Sequence, residues 1–413
     1  MSTRSWAVLL AVASAFQGGR GIRAEGAAAA WPNWLGPTHN GVAAERGVFA
    51  RTAGVRLEKA WSRPLETGPA GLAVADGRVF TLFREGGDDY AIALRADTGT
   101  ETWRARLDPG VESPWLSGPP STPAFHEARV FTLSSACRLR AHEAATGRRL
   151  WELDLKQRFG TAYQMGCVSS PFVEGGRLYV MTGGRADHRV AALDPKSGEL
   201  LWTAKGTETA SNASPVSAQI GGVRQLLFNH NVAFQKGGIT GLRLSDGALL
   251  WSTTLPEGWS FDTPSALPEG RVSLQTADGI HVLRVVRKDD AWSVVPLWRS
   301  ADLRAYVSPP VLQAGHLFGL GGDHLACVEL ETGRTAWREK TYPGSLILVD
   351  GHLIVLSTSA GLLRVVEAVA SGYREKARLQ LFNRGAQTLA PPSFSGRRIF
   401  VRNEEEVAAV EIS

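Results

Sequence analysis

Nine histidines, three cysteines and two acidic runs are the residues of this 413-residue chain whose types could hold a metal or carry acid–base and nucleophilic chemistry. A zinc hydrolase needs two histidines one helical turn apart with a glutamate beside them, so that both rings reach one ion. The histidines here are dispersed and form no HExxH, and neither a GxSxG elbow nor a phosphate-cradling P-loop is present. His230 lies between two asparagines in "FNHNVAF" (228–234), a setting that reads as a structural hydrogen-bonder rather than a ligand. "NEEE" (403–406) and the Asp88-Asp89 pair of "EGGDDY" (85–90) read as solvated turns, although acidic turns can hold calcium. Cys137, Cys167 and Cys327 form neither CxxC nor an adjacent pair. They are expected as small buried side chains within strands, with one bond between two of them open in an oxidising compartment.

Any chemistry must therefore be assembled by the fold, and the fold is announced by repeats. "TGTETW" (98–103), "TGRRLW" (146–151), "SGELLW" (197–202), "DGALLW" (246–251) and "TGRTAW" (332–337) share a glycine and, four residues later, a tryptophan. Glycine suits the left-handed end of a short hairpin loop, and the tryptophan then falls at a fixed point of the following strand. Trp61, Trp103, Trp151, Trp202, Trp251, Trp298 and Trp337 recur every 39 to 51 residues, and repeated there they can pack between neighbouring units. A second marker, a tight turn followed by a strand, appears eight times: at 76–82, 127–133, 175–181, 221–228, 269–275, 314–320, 350–356 and 395–401. A third is Ser/Thr-Pro opening the first strand, at Thr122-Pro123, Ser170-Pro171, Ser214-Pro215, Thr263-Pro264 and Ser308-Pro309, where proline's missing donor is tolerated.

Taking 169–204 as template, each unit is a four-stranded antiparallel meander of propeller-blade size. "GYREKARLQLF" (372–382) supplies the seventh outer strand without a tryptophan, and "EVAAVEIS" (406–413) ends the chain on a third strand. The fourth strand of that last unit is expected from "RLEKAWSRPL" (56–65), so that the two termini pair and remove an exposed edge. The expectation is an all-β, eight-bladed propeller, or a seven-bladed one if a weak unit is misread. In such a ring the loops from each outer strand to the next inner strand gather at one channel mouth. They bring Trp115, Tyr163, Gln164, Asn212, Trp259, Asp262, Arg304, Tyr306 and Tyr342 toward one rim, aromatics mixed with polar groups as a ligand or partner site requires.

Ahead of the ring, Arg4 and the apolar run "WAVLLAVASAF" (6–16) read as an export signal, too short to span a bilayer, with cleavage after Ala15, after Ala24 or within 27–30. This divides the chain into a signal (1–24), a leader (25–55) and a propeller (56–413). No cysteine stands near the apolar run, as a bacterial lipid anchor would need. Removing residues 1–24 takes three arginines and no acid, lowering the formal charge from +5 to +2, and no basic cluster is left to suggest nucleic acid.

"ALDPKSGELLW" (192–202) resembles the repeat of the pyrroloquinoline quinone (PQQ) propellers, and "WPNWLGPTHNGV" (31–42) is similar to the leader that precedes many secreted members. The resemblance runs from Trp31 to Ser413 and implies the fold. The family includes quinoprotein alcohol dehydrogenases, the propeller lipoprotein of the outer-membrane barrel-assembly machinery and many secreted propellers, so it does not by itself imply one activity. The dehydrogenases hold PQQ on the axis with calcium, acidic and amide ligands and a catalytic aspartate. The adjacent-cysteine pair and CxxCH haem site found in many of them have no match here, and no calcium-ligand set maps onto the chain. The expectation is an exported, periplasmic or secreted, monomeric ring. It would be non-catalytic, without cofactor or metal, and would bind a protein or a small molecule at its mouth. The alternative is a PQQ- and calcium-dependent dehydrogenase of alcohols or sugars.

Overall fold

The computed structural model describes residues 30–50, 54–114, 116–163, 166–183, 189–204, 209–210, 213–232, 235–305 and 308–413. The segment read as a signal (1–24) and four expected mouth residues, Trp115, Gln164, Asn212 and Tyr306, lie outside the described residues. The repeats build eight antiparallel sheets arranged as the blades of a propeller. Blade 1 comprises Ala73–Ala75, Arg78–Glu85, Asp88–Arg95 and Glu101–Pro109, hydrogen-bonded in that order. Blades 2 to 7 follow at 124–154, 172–204, 209–254, 265–300, 311–340 and 344–380. Blade 4 departs from the four-stranded plan through an extra two-residue strand, Thr209–Ala210, beside Val223–Val232. Blade 8 joins Ser393–Ser395, Arg398–Arg402 and Glu406–Ile412 to Leu57–Pro64, with Leu57 opposite Ile412 and Trp61 opposite Ala409. The expected closure by the two termini is thus present. Among the described residues no helix is long and apolar enough to cross a membrane.

The core consists of wedges between blades. Phe172, Tyr179 and Met181 of blade 3, for example, pack on Leu226, Phe228 and Leu242 of blade 4. The glycine–tryptophan repeat explains how these wedges stay in register. Gly99, Gly147, Gly198, Gly247 and Gly333 all have φ between 71° and 75°, which disfavours any L side chain. Each also lies beneath the tryptophan of the preceding blade, so close that a Cβ would sit 2.5–2.9 Å from the ring. The indole N–H then donates to a carbonyl three residues before the glycine: Trp61 to Ala96 (3.0 Å), Trp103 to Ala144 (2.9 Å), Trp151 to Pro195 (3.2 Å) and Trp298 to Leu330 (2.8 Å). Trp337 likewise donates to Val369 of blade 7 (2.9 Å). At Trp202 the equivalent carbonyl, Leu244, is taken by the Tyr179 hydroxyl (3.2 Å), and the indole N–H has no partner. Trp251 breaks the pattern because blade 5 lacks the glycine hairpin; its indole turns inward and donates to Gln225 Oε1 (2.7 Å).

The Ser/Thr-Pro marker has a second physical role that the sequence reading missed. The hydroxyl of one blade accepts an amide proton from its neighbour around the axis: Gly71 to Thr122, Thr122 to Ser170 and Ser170 to Ser214, at 2.9–3.0 Å, with Leu346 to Ser308 also 3.0 Å. The leader is part of the same assembly. Trp31 exchanges two 2.8 Å backbone bonds with Val74 on the inner edge of blade 1, and residues 41–43 do the same with Leu348 of blade 7. The leader therefore crosses the channel as a strap. His39 is buried on the way, with Phe172 in an edge contact at 4.7 Å. Burial, partly offset by Glu174, pushes its pKa down to about 4, so it is neutral at pH 7.

Two expectations need correction. Cys137 and Cys167 are not isolated core side chains but form a disulfide, while buried Cys327 stays free in its strand. The bond ties a blade 2 turn to the loop entering blade 3. Asp89 is not on a solvated turn: it is fully buried and bonded by Arg84 Nε at 2.9 Å and by the Ser135 amide at 3.0 Å. Its guanidinium partner lies five residues away in the same hairpin, which a reading of turn residues passes over. The "NEEE" run is a turn as expected, with Asn403 Oδ1 accepting from the amides of Glu405 and Glu406 at 2.8 Å.

Candidate functional site at the channel mouth

Of the expected mouth residues that are described, Arg304 and Tyr342 are exposed, Trp259 and Tyr163 are partly buried, and Asp262 is buried. Arg304 is exposed, Tyr342 is 44% exposed, and Trp259 is half-buried with its ring centroid 4.9 Å from that of Phe261, itself 38% exposed. Tyr163 is partly buried: its ring lies over Gly183, where a Cβ would come within 2.0 Å, and its hydroxyl is sealed from solvent without a partner. Burial raises the pKa of that phenol further above neutrality, so it stays protonated. Asp262 is only 3% exposed.

Asp262 is held by a network built from "FNHNVAF". Alternation along a strand sends Asn229 and Asn231 to one face and His230 to the other. Asn229 Nδ2 donates to the carbonyls of Ser260 (3.1 Å) and Asp262 (3.0 Å), and Asn231 Nδ2 donates to the Ser260 carbonyl (2.8 Å). The Ser260 amide returns a bond to Asn231 Oδ1 (3.0 Å). His230, as expected, is buried and hydrogen-bonded through Nδ1 to Thr240 Oγ1 at 3.0 Å. Gln275 Nε2 donates to Asp262 Oδ2 (2.7 Å) and to the Ser308 carbonyl (3.0 Å), while its Oε1 accepts from the Ala305 amide (3.1 Å). Asp262 Oδ1 has no partner. Burial dominates, against the opposing Gln275 bond and the Thr263 amide, and pushes the carboxyl up to about 7.

Asp262 is one of the residues lining a cavity of about 120 Å³ among the mouth loops. Loops of blades 1, 2, 3, 4, 5 and 8 contribute Pro69, Leu116, Val168, Ser214, Phe261 and Leu389, and the leader closes it with Trp34. The Trp34 indole N–H is also buried without a partner. Sequence reasoning missed Trp34 because its neighbours are tens to hundreds of residues away, and missed Phe261 although "GWSFD" places it beside two residues that were named. Two wider clefts, of about 730 and 740 Å³, lie elsewhere along the leader and share no residue with the mouth set.

The described mouth residues do not fit PQQ with calcium. The axial cavity is well below the roughly 300 Å³ at which small-molecule sites begin, and among the described residues Asp262 is the sole carboxylate lining it. Nor do three His, Cys, Asp or Glu side chains converge anywhere among the described residues as a metal would need.

Repeat, blade closure and leader together define a β-propeller of the PQQ-repeat class. Residues 49–157 and 93–339 match the family model described as outer membrane protein assembly factor BamB, and the chain belongs to that family. A curated relative, quinohemoprotein alcohol dehydrogenase ADH IIB of Pseudomonas putida, is 26% identical over 243 residues, covering 54% of this chain and 34% of that one. The chain thus spans about a third of the length of this relative. Among solved structures, BamB from Moraxella catarrhalis superposes with a TM-score of 0.62 at 14% identity, covering 86% of this chain and 98% of that one. Quinohemoprotein alcohol dehydrogenase from Comamonas testosteroni gives 0.66 at 13% identity, covering 93% and 80%. At these identities the two structures share the fold, and a fold does not carry an activity.

Proposed function

We propose that this chain is an exported propeller that works as a rigid, non-catalytic binding ring, presenting its channel mouth to a protein partner. The observation that carries the reading is the mouth itself: the Trp259–Phe261 pair, Tyr342 and Arg304 are partly or wholly exposed on loops anchored in a closed ring. Surface aromatics and arginine on a rigid frame are the residue types that dominate protein interfaces. Export is supported by the apolar run at 6–16 and by the Cys137–Cys167 bond, which suits an oxidising compartment. Membership of a family described as an outer membrane protein assembly factor points the same way.

The dehydrogenase reading draws on the 26% identity to ADH IIB. Calorimetric titration of the purified protein with PQQ and calcium separates the two. Tight, calcium-dependent, one-to-one binding would replace the ring reading with the enzyme. For the ring itself, a photo-crosslinking residue at Phe261 or Tyr342 in cells should give a discrete protein adduct that the same probe at exposed Leu249 does not give. Equal patterns from all three positions would remove the mouth as the interface.

A further inference from the structure

The axial cavity combines features that a merely packed channel has no need of. Its walls are largely apolar, through Pro69, Leu116, Val168 and Leu389, with the rings of Trp34 and Phe261 among them. Asp262 and Trp34 are among its lining residues, and each carries one buried polar atom without a hydrogen-bond partner, the carboxyl Oδ1 and the indole N–H. Ser170, Ser214 and Thr263 also line it, and the two serine hydroxyls each already accept an amide proton from the blade before.

A ligand for such a space must carry one positive charge or strong donor for the carboxylate and an apolar coat for the walls, and it must offer at most one acceptor for the indole. A hydrated metal ion or a sugar would bring more polar groups than the site can satisfy, each at a cost. A methylated ammonium has one charge spread under methyl groups, and aromatic faces attract it. A volume of about 120 Å³ suits a group of a few heavy atoms.

We propose that the axial cavity binds a compact methylated ammonium group, with the Asp262 carboxylate as counter-ion and Trp34 and Phe261 as aromatic walls. The inference shares Phe261 with the protein-binding reading but does not rest on it. Among the described residues lining the cavity Asp262 is the sole ionisable one, and the strands and loops packed against it present the neutral groups Asn229, Asn231, Gln275 and Ser308. A cation should therefore compete with the proton on this one carboxyl.

Choline is the probe, and 3,3-dimethylbutan-1-ol, its uncharged carbon isostere, is the control. Calorimetry on the full chain should show choline binding that strengthens about tenfold between pH 6 and pH 8, as a carboxyl with a pKa of about 7 ionises. Asp262→Asn should abolish binding while leaving the melting curve cooperative. Phe261→Leu should weaken choline severalfold without a matching change for the isostere. Vesicles of phosphatidylcholine tell whether the ammonium arrives free or on a lipid headgroup: sedimentation of the protein with them, blocked by Asp262→Asn, assigns the lipid, and binding of choline alone assigns a soluble ligand. Absence of binding to both probes, equal binding of choline and its isostere, or choline binding unchanged in Asp262→Asn would each overturn the proposal.

Discussion

At the junction of blades 1 and 2, Asp89 and Asp108 are buried against arginines; in the loop entering blade 5, Asp262 is buried against neutral amides. Arg140 grips Asp108 with two bonds of 2.7 and 3.0 Å and adds a third, 3.0 Å, to the Leu107 carbonyl. Ser134 Oγ completes the set at 2.5 Å. Burial alone would raise the Asp108 pKa, but Arg140, Ser134 and Arg138 together hold it below the usual carboxylate range. Asp262 has Gln275 on one oxygen and no hydrogen-bond partner on the other, and burial pushes it up to about 7 against the Gln275 bond and the Thr263 amide. The first arrangement is complete and fixes structure. The second leaves one buried oxygen without a partner in a residue that lines a cavity, and that incompleteness is the ground on which a binding role is proposed for it.

The contrast can be broken experimentally. The largest effect is expected from Arg140→Ala, which leaves Asp108 buried and unpaired and should cost about 3–5 kcal/mol in urea unfolding at pH 7. A loss under about 1 kcal/mol would show that the junction tolerates an unmatched carboxylate. Asp262→Asn should act with the opposite sign. A carboxyl raised from 3.8 to about 7 on folding contributes stability that is full below its unfolded pKa and is lost as pH rises to 7. At 1.36 kcal/mol per unit the loss is bounded at about 4 kcal/mol. The wild type should therefore weaken between pH 4.5 and 7.5, and the asparagine variant should not; parallel profiles would mean that Asp262 is solvated. Asp108 has the ordinary sign, its contribution falling away only in acid as pH drops through its lowered pKa.

Replacing both Cys137 and Cys167 by alanine opens a link across 30 residues and should cost about 3–4 kcal/mol, read as a fall in denaturation midpoint that reducing agent reproduces in the wild type. The smallest effect should come from Trp251→Phe. This indole bonds inside its own blade, so the change should cost about 1 kcal/mol. Trp103→Phe, by contrast, removes a bond across two blades as well. A larger loss at Trp251 than at Trp103 would reverse the ranking of the two junctions.

What could be read from the sequence was what acts locally. A glycine forced to positive φ and a tryptophan four residues on are both unusual residues at fixed spacing, so blade number and closure were legible. The use of the Ser/Thr-Pro hydroxyls was hidden because each hydroxyl's partner sits in a neighbouring blade, 38 to 51 residues away. Asp89 and Asp262 were both named, but nothing in "EGGDDY" or "GWSFD" tells which carboxylate meets an arginine and which faces a cavity. Trp34 was the hardest to foresee, because a leader residue acquires its neighbours only after the ring has formed.

Blade 8 carries a consequence for how the molecule comes into being. Its outer strand, Leu57–Pro64, is made well before its sheet partner, Glu406–Ile412. A chain emerging from a ribosome or a translocation pore must hold an unpaired strand while more than 300 residues follow it. Earlier blades can form in order, each on the one before, but the circle locks only when residues 406–412 are free to pair. Pairings this distant in sequence are slow to find, and open strand edges are aggregation-prone in the interval. A holdase bound near residues 57–64 should therefore raise the yield of folded protein more than one bound at any internal blade.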